Sequence, residues 1–220
     1  MSSFNMSAEE PWRIFRIMAE FVEGFEELSS VGPAVSIFGS SRTEPEHKYY
    51  KLAQETASEV AKAGFAVITG GGGGIMEAAN KGAIEAGGKS IGLNIELPIE
   101  QRPNDFQNLS LHFKYFFCRK VMFLKYANGF VAMPGGLGTM DELLESMVLI
   151  QTLKQATFPV ILMGSDFWKG FLDWIRFTML EKYEYISPED LDVYSVVDDP
   201  AAAAKIISDF HKSERPGGFR

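Results

Sequence analysis

The sequence predicts an α/β fold, a single-domain, Rossmann-like, doubly wound parallel sheet with helices on both faces. First, short apolar runs without polar alternation recur along the chain, as expected of strands that are buried on both faces. Second, segments with helical periodicity separate these runs, which is the pattern of right-handed strand–helix–strand units. Third, loops rich in Gly, Ser or Thr follow three of the runs, at the strand ends where such sheets bind ligands.

Composition and charge limit the classes of function. The chain has 220 residues, of which 46% are hydrophobic, and this suits one domain with a substantial core. Its formal net charge of -8 argues against binding to nucleic acid or to an anionic membrane. Cys118 is the single cysteine, which excludes an intrachain disulfide and fits a reducing compartment. The sequence shows neither a signal-peptide pattern at residues 1–10 nor an apolar stretch that could span a bilayer, so we expect a cytoplasmic protein.

The predicted elements follow one another along the chain. Residues 1–30 are predicted to form an N-terminal covering helix, in which the apolar periodicity runs from Pro11 to Leu28. The domain is predicted to span residues 31–212, and residues 213–220 to be a mobile tail. Strands are predicted over 34–38, 65–69, 90–95, 109–113, 129–133, 158–163 and 193–197. Helices are predicted over 45–63, 75–85, 115–126, 139–153 (with apolar periodicity from Leu143), 168–180 and 200–210.

The stretch from Met133 to Glu142 is the strongest candidate site. An apolar run ending at Met133 is followed by Pro134 and a loop with three glycines, and a helix is expected to start at Thr139. A strand, a glycine loop and a helix N-terminus together offer free backbone N–H groups and a positive dipole end to an anion. Glycines also let a phosphate approach the backbone closely. We therefore predict a phosphate site, with the Glu142 carboxylate beside it.

Two further loops are expected at the same edge of the sheet, namely Gly39–Arg42 and the five glycines Gly70–Gly74. None of the loops contains the lysine of a Walker A motif. The third glycine of a dinucleotide fingerprint is replaced by Asp141 in one loop and by Glu77 in another, and a carboxylate there would repel a pyrophosphate. The loops therefore favour a ligand with a single phosphate.

At these residues the chain resembles a known family. Pro134–Glu142 matches the PGGxGTxxE motif of the LOG family, which are cytokinin riboside 5′-monophosphate phosphoribohydrolases that are often mislabelled as lysine decarboxylases. Gly70–Met76, Phe38–Ser41 and the pair Arg119-Lys120 resemble further motifs of that family. The resemblance covers roughly Val35 to Leu162. It implies hydrolysis of the N-glycosidic bond of a nucleoside 5′-monophosphate, giving a free base and ribose 5-phosphate, by a homo-oligomer that is at least a dimer.

The resemblance also implies roles for individual residues. By matched position, Glu142 and Arg119 are the catalytic pair. The substrate- and phosphate-binding residues that it implies are Ser40, Gly71, Gly72, Gly73, Gly74, Glu100, Lys120, Met133, Pro134, Gly135, Gly136, Gly138 and Thr139. The chain departs from the plant-type pattern at Phe116–Cys118, before the Arg-Lys pair, and at Glu77. These departures favour AMP or a related nucleotide over a cytokinin riboside monophosphate as substrate.

Three other interpretations remain open at this point. Thr139 and Glu142 have the spacing of a capping box, in which Glu142 would serve only the helix. The chain could be a non-catalytic carrier, because molybdenum-cofactor carrier proteins share a similar fold and glycine loops and bind a phosphorylated pterin. A lysine decarboxylase would need a pyridoxal phosphate lysine, and no residue is indicated for that role.

We expect no cofactor, and no metal, since the three histidines lack ligand spacing. The N-terminal helix and the 115–126 helix are candidates for the dimer contact.

Overall fold

A parallel seven-stranded sheet forms the centre of the computed structural model, which describes residues 10–97, 102–152 and 158–213. The strands are β1 (Ala34–Phe38), β2 (Ala66–Thr69), β3 (Ser90–Ile95), β4 (Leu109–Phe113), β5 (Ala127–Ala132), β6 (Val160–Leu162) and β7 (Tyr194–Val196). Their order is β4-β3-β2-β1-β5-β6-β7, and every neighbouring pair is parallel. The chain winds outward from β1 in one direction and then, from β5, in the other. The predicted doubly wound α/β fold is confirmed, and its switch point lies between β1 and β5.

Seven α-helices cover this sheet within the described ranges. They are α1 (Glu10–Leu28), α2 (Lys48–Lys62), α3 (Ile75–Glu85), α4 (Phe116–Lys125), α5 (Leu137–Gln151), α6 (Ser165–Trp174) and α7 (Pro200–Ser213). The long helix predicted over 168–180 is divided, because a π-helix, Ile175–Lys182, continues α6. Apolar periodicity over so short a segment does not distinguish the wider π turn from the α turn. A 3-10 helix, Pro188–Val193, precedes β7.

The two faces of the sheet have different cores. The face covered by α2, α3 and α7, here called the alanine-rich face, buries Ala53, Ala57, Ala78, Ala79, Ala83, Ala203 and Ala204. The face covered by α1, α4, α5 and α6, here called the aromatic face, buries Phe38, Phe113, Phe123, Phe130, Phe158 and Trp168. Alternate residues of β1 supply both cores, since Val35 and Ile37 face the alanines and Ala34 and Phe38 face the aromatics. This explains why the strand runs are apolar without alternation.

Helix α1 packs along α4 on the aromatic face. Leu28 is fully buried, and Ile17 and Phe21 are half-buried against the core. The outward side of α1 nevertheless exposes several large apolar side chains, among them Phe15 (61%) and Val22 (62%). The proposed tail beyond Ser213 and the residues before Glu10 lie outside the described residues. None of the helices in the described part of the chain combines the length and apolarity that a membrane span requires.

Candidate functional site

A cavity of about 730 Å³ opens at the carboxyl ends of β1 and β5, on the switch point of the sheet. One part of its wall is polar and comes from the loop after β1, from α4 and from α5, with Ser40, Ser41, Arg42, Arg119, Thr139 and Glu142. The other part is apolar, with Phe38, Met76, Ile95, Leu97, Phe116, Phe123 and Leu137. A concave site with an apolar wall and a few convergent polar groups is typical of a small-molecule site.

Ser40 joins the three predicted loops. Its backbone N–H donates to the Pro134 carbonyl over 3.0 Å, and its own carbonyl accepts from the Ile75 N–H over 2.9 Å. A Cβ atom at Gly135 would lie 3.0 Å from the Ser40 nitrogen and would overlap the Thr139 side chain, so only glycine fits. Gly74 has φ 65°, and a Cβ there would overlap the Ser40 carbonyl. Glycines in two loops thus allow all three to meet at Ser40.

The α5 helix begins at Leu137, two residues before the predicted start at Thr139. Gly136 is the N-cap, and its carbonyl accepts hydrogen bonds from the N–H groups of Thr139 and Met140, both at 3.0 Å. No side chain caps this helix, so Thr139 and Glu142 do not form the capping box that their spacing left open as an alternative. Within the described ranges, neither Leu137 nor Gly138 donates its backbone N–H to another protein group. The first turn of α5 therefore presents open donors to the cavity.

Glu142 is the buried carboxylate of the cavity. It lies on α5, one turn beyond Thr139, and only 5% of its surface is exposed. Burial raises the pKa of Glu142 to about 7, although the positive charges of Lys120 and Arg119 act in the opposite direction. Near neutral pH the side chain therefore exists in both its charged and its neutral form. A carboxyl group with such a pKa can accept or donate a proton during a reaction.

Arg119 lies on α4 and lines the same cavity as Glu142. Its guanidinium lies over the rings of Phe116 and Phe123, at 5.3 Å and 5.5 Å from their centroids. Burial lowers the pKa of Arg119, and the negative charges of Glu142 and Asp141 oppose this. The buried Nε atom has no hydrogen-bond partner in the described part of the protein. A buried donor without a partner costs free energy, and such costs are expected at functional sites.

Lys120 does not line the cavity, although it was predicted to contact substrate. Its Nζ atom pairs with Glu145 at 2.7 Å and with Asp141 at 2.9 Å, both on α5. Burial would lower the pKa of Lys120, but these two partners raise it above its ordinary value. Lys120 thus ties α4 to α5 beside Glu142, and its charge acts on Glu142 through space.

The five-glycine loop also differs from the expectation. Gly70 lines the cavity, whereas Gly71, Gly72, Gly73 and Gly74 are not part of its wall. The Gly71 carbonyl accepts from the Asn104 backbone at 2.8 Å, from the Asn104 side chain at 3.1 Å and from Gln107 at 2.8 Å. Asn104 also donates to Asn80, which is fully buried. This loop is therefore held from behind by a polar network that no motif in the sequence signals.

The remaining predicted residues are placed as follows. Met133 is fully buried in the core of the alanine-rich face, and Pro134 contributes its carbonyl to Ser40. Gly136 and Gly138 line the cavity, and Gly135 lies behind Ser40 and Thr139. Glu100 lies outside the described residues. Glu77 accepts a hydrogen bond from the Tyr50 hydroxyl at 3.0 Å and does not reach the cavity wall.

Some residues of the wall were not singled out from the sequence. Arg42 was seen only as the end of a loop, and Met76 and Leu97 resemble ordinary apolar residues beside a loop. A positive charge at a predicted strand end was the one signal available for Arg42. In the described ranges, no three His, Cys, Asp or Glu side chains gather as a metal site would require.

Comparison with known proteins assigns the family. The model of a family described as "Possible lysine decarboxylase" matches residues 76–207, which is more than half of the chain. The chain belongs to this family. This confirms the resemblance to the LOG family, whose members often carry the lysine decarboxylase label. The match begins in α3 and ends in α7, and so includes Arg119, Lys120 and Glu142.

Relatives and solved structures extend this comparison. A protein of Archaeoglobus fulgidus described as uncharacterized is 26% identical over 131 residues, which are 59% of this chain and 83% of that protein. The Moco carrier protein from Chlamydomonas reinhardtii aligns with a TM-score of 0.58 and 22% identity, covering 82% of this chain and 98% of that one. The molybdenum cofactor binding protein from Rippkaea orientalis aligns with a TM-score of 0.59 and 21% identity, covering 81% and 96%. At these identities the structures establish a shared fold.

Proposed function

We propose that this LOG-family protein hydrolyses the N-glycosidic bond of a nucleoside 5′-monophosphate to a free base and ribose 5-phosphate. The observation that carries this proposal is Glu142, a buried carboxyl group with a pKa of about 7 in a cavity that also holds Arg119. We take AMP as the first substrate to test and a cytokinin riboside monophosphate as the second. We place the reaction in the cytoplasm, in keeping with the single cysteine.

The polar and apolar parts of the cavity suit the two ends of such a substrate. The open N–H groups of the α5 first turn and the Ser40 hydroxyl can hold the phosphate. The base fits against apolar side chains such as Met76, Leu97 and Phe116. With the ends held in this way, the ribose lies between them, beside Glu142.

Glu142 would then act on the anomeric carbon of the ribose. As the bond from this carbon to the base nitrogen breaks, positive charge develops on the ribose, and an ionised carboxylate stabilises it. Water adds its oxygen to the anomeric carbon. Glu142 takes the proton of that water, and a proton returns to the departing base nitrogen, so that the carboxylate is regenerated. Arg119 lines the same cavity as Glu142, so its guanidinium can contact the substrate.

We further propose that the protein acts as a homodimer or larger homo-oligomer. The outer surfaces of α1, α4 and α5 expose large apolar side chains, including Phe15, Val22, Phe117 and Val148. Lys120, Asp141 and Glu145 join α4 to α5, so the exposed side chains of these two helices belong to adjoining surfaces. Exposed apolar side chains that gather on one surface are typical of protein interfaces.

A non-catalytic carrier is the second candidate. The solved structures named above are titled as proteins that carry or bind the molybdenum cofactor, and they share this fold. In that function, Glu142 and Arg119 would hold a ligand without breaking a bond.

Product analysis tests the proposal. The purified protein is incubated with each nucleoside 5′-monophosphate, and free base and ribose 5-phosphate are separated by chromatography. We expect AMP to be hydrolysed, with a rate that rises as the pH passes through about 7, because the ionised Glu142 is the active form. Glu142→Gln should lose on the order of 10²–10⁴-fold in rate.

Glu145→Gln is the matched control on the same helix, since Glu145 pairs with Lys120 and does not line the cavity. We expect it to lose less than about tenfold, because it changes the surroundings of Glu142 and not the reacting group. Equal losses in both variants would contradict the role of Glu142. Tight binding of molybdenum cofactor, with every nucleotide left intact, would favour the carrier.

A further inference from the structure

A phosphate at the first turn of α5 needs a positive charge near it. The chain as a whole carries a formal charge of -8, and the Glu142 carboxylate lies in the same cavity. Backbone N–H groups contribute only partial charge to an anion. A cationic side chain in or beside the cavity is therefore needed to contact the phosphate.

Of the described cations in or beside the cavity wall, Lys120 and Arg119 are already held by other groups. Lys120 is held by Asp141 and Glu145 and lies outside the wall. Arg119 lies between the rings of Phe116 and Phe123, and its Nη1 atom reaches the Leu93 carbonyl at 3.5 Å. It therefore lies deep in the apolar part, beside Glu142.

Arg42 is the third cation, and its position is different. It lies in the loop after β1, and its backbone N–H donates to the Ser40 hydroxyl oxygen over 3.1 Å. Ser40 is bonded to Pro134, so this loop adjoins the loop before α5, and Arg42 lines the same cavity as the first turn of α5. Among the described residues, the Arg42 side chain forms neither an ion pair nor a hydrogen bond. It also borders a neighbouring surface depression, lined by Glu44 and His47, so it is reached from solvent.

We propose that Arg42 is the residue that makes this cavity selective for phosphate monoesters, by binding the phosphate held at Ser40 and the first turn of α5. The inference rests on the proposed function, because it takes the 5′-phosphate end of the substrate as its ligand. A guanidinium binds phosphate through paired charge-assisted hydrogen bonds, and a neutral ribose offers it no such partner. Arg42 therefore separates nucleotides from nucleosides, while Arg119 and Glu142 act at the bond that breaks.

Direct binding tests this role without depending on turnover. Ribose 5-phosphate and ribose are titrated calorimetrically into the parent protein and into Arg42→Gln, Arg42→Lys and the control Arg176→Gln. Arg176 is exposed and pairs with Glu181 outside the cavity. We expect Arg42→Gln to weaken ribose 5-phosphate binding by roughly 10- to 100-fold. Arg42→Lys should lie between Arg42→Gln and the parent, and Arg176→Gln should match the parent. The loss should shrink at high salt, since Arg42 is exposed.

Kinetics give the second measurement. For AMP, Arg42→Gln should raise KM far more than it lowers kcat, because the phosphate contact is the same in the ground and transition states. Binding of ribose 5-phosphate by Arg42→Gln that equals the parent's, or no binding by the parent, overturns the inference. If AMP stays intact but ribose 5-phosphate binding depends on Arg42, the proposed hydrolysis fails and this inference stands. If Arg42→Gln hydrolyses AMP as well as the parent does, the proposed hydrolysis stands and the role of Arg42 fails.

Discussion

The alanine-rich face and the aromatic face of the sheet differ in how closely their helices pack and in the polar groups that they bury. On the alanine-rich face, small side chains let α2 and α3 approach so closely that a Cβ at Gly82 would overlap the Gln54 carbonyl. On the aromatic face, α4 and α5 bury or half-bury Arg119, Lys120 and Glu142 between them. The outer sides of the same helices expose large apolar residues. The core of the first face is mainly apolar, whereas the second holds the buried Glu142 and opens to the cavity.

The two faces differ in how they contribute to the stability of the fold. Close packing of apolar side chains stabilises the alanine-rich face. The aromatic face carries a carboxyl group whose charged form is disfavoured by burial, and a donor without a partner. Such features are costly in a purely structural region and are expected at a functional one. Substitutions on the two faces should therefore have different consequences.

The largest expected effect concerns assembly on the aromatic face. Phe15→Asp combined with Val22→Asp should dissociate the proposed dimer. Each substitution removes roughly 1.5 kcal/mol of favourable burial free energy, and each position occurs twice in a two-fold dimer. This amounts to about a hundredfold in Kd for each position. Sedimentation equilibrium measures the mass, which for one chain is 24.5 kDa. Val196→Asp, on the edge strand β7, is the control and should leave the mass unchanged; a parent that sediments as a monomer would contradict the proposal.

The next effect concerns the charge of Glu142. Its pKa in the folded protein, about 7, lies above the ordinary 4.5, so the folded state binds more protons between these values. Stability should therefore fall as the pH rises through this window and level off above it. Glu142→Gln, which stays neutral, should match the parent near pH 4.5 and exceed it at pH 8, by no more than about 3 kcal/mol. Urea unfolding at both values measures this, and a variant that is less stable at pH 8 would show that the ionised carboxylate stabilises the fold.

Two glycines compare the packing of the two faces directly. Gly82→Ala, on α3, should destabilise the protein by roughly 1–3 kcal/mol, because the new methyl group meets the backbone of α2. Gly170→Ala, on α6, meets no atom within 4 Å and should stabilise it by roughly 0.5–1 kcal/mol through helix propensity. Chemical unfolding of both variants gives the difference. Equal shifts would mean that the close approach of α2 and α3 does not set the tolerance at Gly82.

The smallest effect concerns the contact between α1 and α4. The Glu20 carboxylate of α1 accepts hydrogen bonds from the backbone N–H groups of Lys114 at 3.0 Å and Tyr115 at 3.2 Å. It thus caps α4, whose N-cap residue Tyr115 has no side-chain bond of its own. Glu20→Ala should cost about 1 kcal/mol, measured by thermal unfolding. Glu23→Ala on the same helix is the control, and an equal loss there would exclude a capping role for Glu20.

Much of the site could be predicted from the sequence because its determinants are local. The run into Met133, the glycines after Pro134 and the periodic residues beyond them predict a strand, a loop and a helix. The element boundaries agree with the structure to within a few residues at most strands. Thr139 and Glu142 have the spacing of a capping box but do not form one, because the N-cap of the helix is Gly136. Spacing alone does not show where the first helical hydrogen bond forms.

The sequence by itself determined the order of the elements and the burial of the strands on both faces, since both follow from periodicity along neighbouring residues. It also determined that Arg119 and Glu142 would be candidates, through their motifs. Only the tertiary structure decided that Lys120 pairs with Glu145, 25 residues away, and that Asn104 holds Gly71, 33 residues away. It alone brought Arg42 into the same cavity wall as α5 and raised the pKa of Glu142. The burial and the pairing of these polar side chains depend on which distant segments of the chain come together, and no local pattern encodes that.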